Sequence, residues 1–540
     1  MKLPAAVAPL RHKLFRLLWT TNLVVSMGVW LQNTGAGWLM TTLAPDALTV
    51  SMVQLATILP MLLLALPAGA LADIVDRRLF IMITQGWMLA AAGGLALLTY
   101  AGLTDAVLLL GFTFAIGLGQ AMNNPAWGSV MAEAVPRRDL VQAITLNGIG
   151  FNLARAVGPA LAGVLVLMGG PALAFGLNAL SYLAVIIALM SWHRRARSPS
   201  LPREHLVAAM RAGVRFVRHT KVMQAAMIRS GCFFFPAAAP WAMLPLFVKQ
   251  HLHMEAGTYG LLLGLMGAGG VTAGLLLPQI RHRFSRGNTV FGSGIISCLG
   301  MALVGIAQHW LVAALGMVLF GIGWVAAASV AQGAAQMAAP PWVRSRALAI
   351  YQLGFNFAMI VGTLFWGWLG TQIGLSHAML AAAATGVALS VLARGANIDT
   401  ESTTISPMPR DAPPVPEAVD PELIGLVSAA RNRVMEWQRY RIDIVNTDKF
   451  LAAMVEVRDV RSRAGAVGWQ LYEDIAHADG WVEVWTVENW TDHLREATRL
   501  SGADRAVLAQ AMALHIGTPI APSRFIAVAP HRLPDGPRLN

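Results

Sequence analysis

The sequence predicts an all-α membrane protein, twelve transmembrane helices in two six-helix pseudo-repeats, followed by a small C-terminal α+β domain of ferredoxin-like element order. Three observations predict it. Of 540 residues, 56% are hydrophobic and only 13% charged, where a soluble domain carries roughly 25% charged residues. The deficit is uneven: residues 1–394 hold 25 Lys/Arg and 8 Asp/Glu, whereas residues 395–540 hold 15 and 20. The third observation is a sequence repeat at a constant offset inside the apolar part.

Crossing a hydrocarbon core of about 30 Å takes roughly 20 helical residues. Apolar runs of that order lie near 14–40, 49–72, 79–101, 106–131, 140–168, 171–192, 222–249, 257–280, 288–307, 310–335, 346–371 and 377–393. The basic residues before the first run resemble a secretory leader, but its length and the eleven runs behind it argue against cleavage. With the N-terminus in the cytoplasm, the loops on that side carry 21 Lys/Arg, and the opposite side carries Lys249 alone. Positive loops are retained on the cytoplasmic side, so both termini are expected in the cytoplasm. The net charge of +12 is therefore read as membrane-surface charge and not as a nucleic-acid footprint. Cys232 and Cys298 both fall in apolar runs, which leaves no disulfide framework and no metal site to read.

Residues 150–163, GFNLARAVGPALAG, and 354–367, GFNFAMIVGTLFWG, agree at seven of fourteen positions with an offset of 204. The same offset pairs Gly117 with Gly321, Gly119 with Gly323 and Pro136 with Pro340. A duplicated six-helix unit follows, and an even number of spans gives both copies the same orientation. The halves are placed at 1–192 and 222–394, joined by a basic segment at 193–221.

Between the second and third spans, GALADIVDRR at 69–78 resembles the loop signature of the major facilitator superfamily: Gly69, Asp73, Arg77 and Arg78 match, while Ile74 and Asp76 replace the usual Arg and Gly. In the second half Gly274 and Arg283 match and Pro278 stands in place of the Asp. Gly150, Gly158, Pro159 and Gly163 in the fifth span are similar to the glycine-proline pattern of the superfamily's exporters. A narrower resemblance is to its bacterial branch that includes the enterobactin exporter and macrolide efflux proteins. The resemblance implies alternating access, efflux of a small amphipathic molecule across the inner membrane by proton antiport, and a cavity lined by spans one, four, seven and ten. It also implies a conformational latch at Gly69, Asp73, Arg77 and Arg78.

All eight acidic residues of the membrane part fall in loops or at span ends, and Arg155 sits halfway along the fifth span. A charge at mid-membrane costs at least about 2.5 kcal/mol and needs a cavity or a partner. Arg155 therefore reads either as an anchor for an anionic substrate group in a wet cleft or as a structural residue tied to Asn147 or Asn152. Arg229, two turns from a span end, reads as snorkelling. Amides cluster at Gln32 and Asn33, Asn123 and Asn124, Asn147 and Asn152, Gln332 and Gln336; they face a cavity or bridge helices. Trp30, Trp127, Trp241 and Trp324 offer aromatic walls or interface anchors. The substrate-cavity candidates are thus Asn33, Asn123, Asn124, Trp127, Arg155, Trp241, Trp324 and Gln332; Gly150, Gly158, Pro159 and Gly163 are read as helix-packing positions. No phosphate-binding glycine loop occurs, which disfavours an ATP-driven pump, although the carboxylates available to a proton relay, Asp46, Glu133 and Asp139, lie only at span ends. No cofactor is expected.

Residues 204–219 read as an amphipathic helix, with Arg211, Arg215 and Arg218 on one stripe and Leu206, Met210, Val214 and Val217 on another, the pattern of a helix at lipid headgroups. A linker at 395–429 is rich in proline. In 430–530, strands at 434–444, 466–473, 481–487 and 524–529 alternate with helices at 447–463 and 489–513, the order β-α-β-β-α-β; 531–540 forms a tail. The run VENWTDHLREATRL at 487–500 resembles antibiotic-biosynthesis monooxygenases, whose small domains pair through their sheets. That resemblance implies dimerisation and offers Asn489, Trp490 and His493 for cofactor-free oxidation of a quinol. The plainer expectation makes Trp490 a core residue and His493 a solvent-facing one, in a domain that docks or regulates. A membrane-anchored oxidoreductase and a non-transporting scaffold or sensor are the alternatives to an exporter.

Overall fold

The computed structural model describes residues 9–74, 76–136, 139–190, 206–340, 342–399, 433–518 and 520–527. The expected linker and tail lie almost wholly outside the described residues, as do Arg137, Arg138 and residues 193–205. The side chains of Gly69, Asp73 and Glu133 are outside them too. Two compact units divide the chain, one of residues 1–202, 225–334 and 351–399, the other of 203–224, 335–350 and 400–540.

The first unit is helical: α1 (Lys13–Leu43), α2 (Ala47–Ile74), α3 (Arg77–Tyr100), α4 (Ala106–Glu133), α5 (Leu140–Met190), then α7 (Lys221–Leu246), α8 (Ala256–Arg283), α9 (Arg286–Ile306), α10 (Trp310–Ala338), α11 (Arg344–Ile373) and α12 (Leu375–Leu392), the ends of α7, α10 and α11 extending into the second unit. Eleven of the described helices are long and apolar enough to span a bilayer. The expected fifth and sixth spans form the single run α5, which breaks at Gly169 and Gly170, the latter at φ +71°, with Pro171 starting the next stretch. Only glycine adopts that φ without strain. Local chemistry sets several starts: Asp76, Asp105 and Ser285 accept backbone N–H bonds from Leu79, Leu108 and Asn288, satisfying donors that a helix start leaves free. Asp76 thus works as a cap where the superfamily signature has glycine.

The repeat is visible in the packing. A Cβ on Gly117 would strike Pro60 of α2, and one on Gly321 would strike Met266 of α8. Gly119 packs on Met88 of α3, and its counterpart Gly323 on Ser297 of α9. Gly158 abuts Trp30 of α1, and Gly362 abuts Phe235 of α7. The seam between halves repeats as well: Gly163 of α5 meets Gly260 of α8, and Gly367 of α11 meets Ser51 of α2. In each pair of contacts the two glycines lie 204 residues apart, so the packing follows the sequence repeat.

The second unit joins α6 (Leu206–Arg218), the stretch 335–350 and a domain built of β1 (Val434–Arg441), α13 (Thr447–Ala464), β2 (Gly468–Glu473), β3 (Gly480–Val487), α14 (Trp490–Arg499), α15 (Gly502–Ala513) and β4 (Ser523–Ile526). Its antiparallel sheet has the order β2-β3-β1-β4. The helix expected over 489–513 is two, because Ser501 and Asp504 form a capping box that starts α15 afresh. Helix α6 does not present its stripe to lipid alone. Phe216 packs edge-on against Trp342 with ring centroids 6.3 Å apart, Val217 is buried, and Arg211 lies 3.6 Å from Glu488.

Candidate functional site

Arg155 projects from the middle of the stretch of α5 before the Gly169–Gly170 break into the seam between halves. Its Nη2 donates to Asn152 Oδ1 at 2.9 Å, one turn back on the same helix; Asn152 is its only hydrogen-bond partner among the described residues. Trp30 of α1, Trp241 of α7, Met266 and Gly267 of α8 and Val325 of α10 close around it and leave about 10 Å³ of free space, at most one water. A Cβ on Gly270 would lie 3.4 Å from Nη2, so the guanidinium approaches the α8 backbone. A cation with one neutral partner in an apolar seam is poorly compensated, and it holds unspent capacity for an anion.

Aromatic rings continue from this point. Trp30 and Trp241 have centroids 6.2 Å apart, Trp241 and Trp324 5.6 Å, Trp324 and Phe234 4.9 Å, and Phe234 and Phe355 4.4 Å. Of the sequence candidates, the structure therefore brings together Arg155, Trp241 and Trp324. It does not bring the rest to them. Asn123 accepts from Thr84 Oγ1 at 3.3 Å and bridges α3 to α4, Trp127 packs among first-half residues such as Phe80 and Val130, Asn33 is half-buried, and Asn124 and Gln332 are exposed. Gln32 is buried and accepts from Asn178 Nδ2 at 3.2 Å, a bridge within the first half.

Among the described residues, contacts between the halves run from Arg155 toward the ends where α1 finishes and α8 begins. Gly260, Gly264 and Gly267 of α8 lie against Pro159, Gly163, Ala160 and Ala156 of α5. Lys249 Nζ donates to Thr41 O at 3.0 Å and Gln250 Nε2 to Pro45 O at 2.9 Å, while Trp38 stacks on Tyr259 at 6.2 Å. A cavity of about 620 Å³ lined by Asp46, His251 and His377 opens beyond them. At the opposite ends, Arg78 Nε and Nη2 donate to Leu189 O and Met190 O at 2.8 and 3.1 Å, which caps the last carbonyls of α5. His12 Nε2 pairs with Asp139 at 2.9 Å. Arg229 corrects the snorkelling expectation: it is 6% exposed and donates to Gly287 O, Ala396 O and Arg394 O at 2.7, 2.7 and 3.2 Å, with Asp399 bound to Gly287 N alongside.

Residues 4–529 match the family described as transmembrane secretion effector. The chain belongs to that family. The chain is similar to the staphyloferrin A transporter of Staphylococcus aureus, with 22% identity over 300 residues, 55% of this chain and 74% of the relative. It is similar to the enterobactin exporter of Citrobacter koseri, 26% identical over 263 residues, 48% of this chain and 62% of the relative; the chain thus spans under two thirds of that exporter. Among solved structures, a bacterial homolog of the human lysosomal transporter Spinster in an inward-facing, unoccupied conformation aligns with TM-score 0.59 and 14% identity, over 74% of this chain and 99% of that one. An inward-facing bacterial homologue of the iron transporter ferroportin aligns at TM-score 0.55 and 15% identity over 71% and 98%. At these identities the likeness is one of fold.

The terminal domain holds a second cluster that sequence reasoning missed. Its sheet turns Glu436, Tyr440 and Glu483 toward the helices. Arg461 of α13 donates through Nε to Glu483 and through Nη1 to Glu496, each at 3.0 Å, and stacks 3.6 Å from the Trp485 ring centroid. Tyr440 Oη–H and Trp469 Nε1–H donate to Glu483 at 2.9 and 3.1 Å, and Trp485 Nε1–H to Glu496 at 3.2 Å. His493 is 7% exposed, not solvent-facing, and its Nδ1 lies 2.7 Å from Glu436 Oε1. Desolvation opposes charge on Glu436, but its bond to His493 and the nearby cations outweigh it and hold this carboxyl below its usual range. Burial pushes Glu496 up despite Arg461. Glu436, His493 and Glu496 offer atoms within 4.8 Å of one another, a spacing a metal ion could use. Their oxygens are already taken by Arg461, Trp485, His493 and Arg524, so a buried ion-pair network describes them better. Asn489 caps α14 through Oδ1, accepting from Asp492 N at 2.9 Å, and Trp490 packs 4.8 Å from His493.

Proposed function

We propose that the protein is a twelve-span secondary exporter of a small amphipathic molecule bearing an anionic or polarised group, working by alternating access. Arg155, placed among Trp30 and Trp241 where the two halves meet, carries this reading: a poorly compensated cation beside aromatic walls recognises an apolar body with a negative edge. The staphyloferrin and enterobactin relatives support a siderophore-like cargo, and a macrolide-like one remains within the same chemistry. The break at Gly169–Gly170 supports twelve spans, and the basic loops support an inner-membrane orientation with both termini in the cytoplasm. Contacts between halves gathered on the far side of Arg155 support an inward-open conformer. Gly69, Asp73, Arg77 and Arg78 serve as the latch of that cycle, while Gly150, Gly158, Pro159 and Gly163 let helices approach and slide. A proton gradient is the proposed drive.

The test compares accumulation of catecholate siderophores, macrolides and dyes in cells with and without the protein. Export of at least one anionic compound is expected, lost in Arg155→Ala and partly kept in Arg155→Lys. Equal accumulation in all four backgrounds overturns the reading.

The order β-α-β-β-α-β and the sheet order support a ferredoxin-like domain that regulates or dimerises through its uncovered sheet face. With Asn489 capping a helix and His493 bound to Glu436, oxidation is disfavoured. Oxygen uptake by the full chain with a quinol panel checks this, and turnover abolished by His493→Ala would reinstate the enzyme.

A further inference from the structure

We infer that the second unit holds a binding site for a small anionic amphiphile, an aromatic or branched apolar body bearing a carboxylate, sulfonate or phosphate, in the cavity between α6 and β2. The cavity measures about 500 Å³, within the range of sites that take drug-sized ligands. Met210 and Val214 of α6 and Trp469 of β2 give it apolar walls, and Arg211, Arg215 and Arg218 enter it from one helix face. None of its described lining residues is a carboxylate. The nearby acids pair with two lining residues from outside the lining, Asp459 with His219 at 3.3 Å and Glu488 with Arg211 at 3.6 Å.

Arg215 supplies an independent observation. Its Nε is buried and has no hydrogen-bond acceptor among the described residues, and burial pushes the guanidinium below its usual value although Glu488 and Asp492 oppose the effect. A buried donor without an acceptor is unfavourable, and an oxyanion on that edge would satisfy it with a charge-assisted bond. Trp469 gives the ligand body a fixed wall, because its Nε1–H is held by Glu483 at 3.1 Å. A cationic ligand would meet three arginines, and a neutral one would offer Arg215 Nε at best an acceptor without charge assistance. The site is separate from the Arg155 seam and does not rest on the transport reading.

The experiment is calorimetric titration of the full chain, in phosphatidylcholine nanodiscs, with 1-naphthoate and with the neutral 1-naphthalenemethanol. Naphthoate is expected to bind at least about tenfold more tightly, to lose about tenfold in Arg215→Gln, and to be excluded in Val214→Trp, which fills the cavity without altering charge. Unchanged far-ultraviolet circular dichroism and thermal unfolding show that both variants stay folded. Competition by soluble dibutyryl phosphatidylglycerol assigns the natural anion to a lipid headgroup, and its absence assigns it to a soluble molecule; either keeps the site. Equal affinity for acid and alcohol overturns it, as does binding unchanged in both variants. Binding lost only in Arg155→Gln overturns it too, by placing the anion at the seam.

Discussion

Gly260 of α8 faces Gly163 of α5 so closely that a Cβ on Gly260 would stand 2.7 Å from the Gly163 Cα. Backbone meets backbone there, with no side chain able to retract, so the contact opens only if the helices separate as bodies. Its repeat counterpart, Gly367 against Ser51, brings α11 to α2 so closely that a Cβ on Gly367 would stand 2.7 Å from the Ser51 Cβ.

Gly260→Val is expected to wedge this seam. Overpacking costs about 1–3 kcal/mol, enough to bias a two-state equilibrium about 5- to 150-fold. Export should fall while membrane insertion is kept, and a Thr41→Cys reporter should label faster with an impermeant maleimide. Unchanged labelling and export would show that the contact is not part of the closed state.

Arg155→Leu should separate stability from function. Removing a mid-membrane charge whose one described partner is the neutral Asn152 relieves about 2.5 kcal/mol on insertion scales, so melting in detergent should stay level or rise while transport is lost. A lower melting temperature would make Arg155 structural.

Arg229→Met should do the opposite. It strands three carbonyls, on Gly287, Arg394 and Ala396, and removes the cation beside Asp399. Loss of hydrogen bonds to a charged group predicts destabilisation of about 2 kcal/mol or more, read as a lower melting temperature.

Arg461→Met leaves Glu483 and Glu496 buried without their shared cation. Breaking a buried pair from one side costs about 3–5 kcal/mol, so the terminal domain in the full chain should lose hydrogen-exchange protection. Replacing Arg461 together with Glu483 and Glu496 by apolar residues should recover much of the loss.

Acid and base should act on two carboxyls with opposite sign. Glu436 is held below the unfolded value of about 4.3, so its contribution is present above that pH and lost as pH falls through the folded value. Glu496 is raised, so its contribution is present below about pH 4.3 and lost as pH rises through the folded value. Glu436→Gln should flatten the acid limb of domain stability, and Glu496→Gln the limb above it, followed by hydrogen exchange across pH.

The helical unit was legible because its determinants are local or periodic: apolar runs, the 204-residue offset and the Gly169–Gly170–Pro171 break can all be seen in the chain. Arg229 was misread because its partners, Gly287 and the segment after α12, are brought to it by the fold from 58 and more residues away. The buried Glu436, Glu483 and Glu496 were missed for a different reason. Strand alternation puts Glu436 on one face with Val434 and Tyr440, and Met435 and Trp437 on the other; period two alone does not say which face the helices cover. Arg155 stood out in the sequence, but its neighbours Trp30, Trp241 and Val325 come from three other helices that only the folded chain assembles.

The position equivalent to Arg155 in the second repeat is Met359, which is buried. Duplication has thus kept the architecture symmetric and left the electrostatics polarised toward one half. At this position the two halves share a helix geometry but not a field, a guanidinium standing on the first-half helix and a thioether on its counterpart.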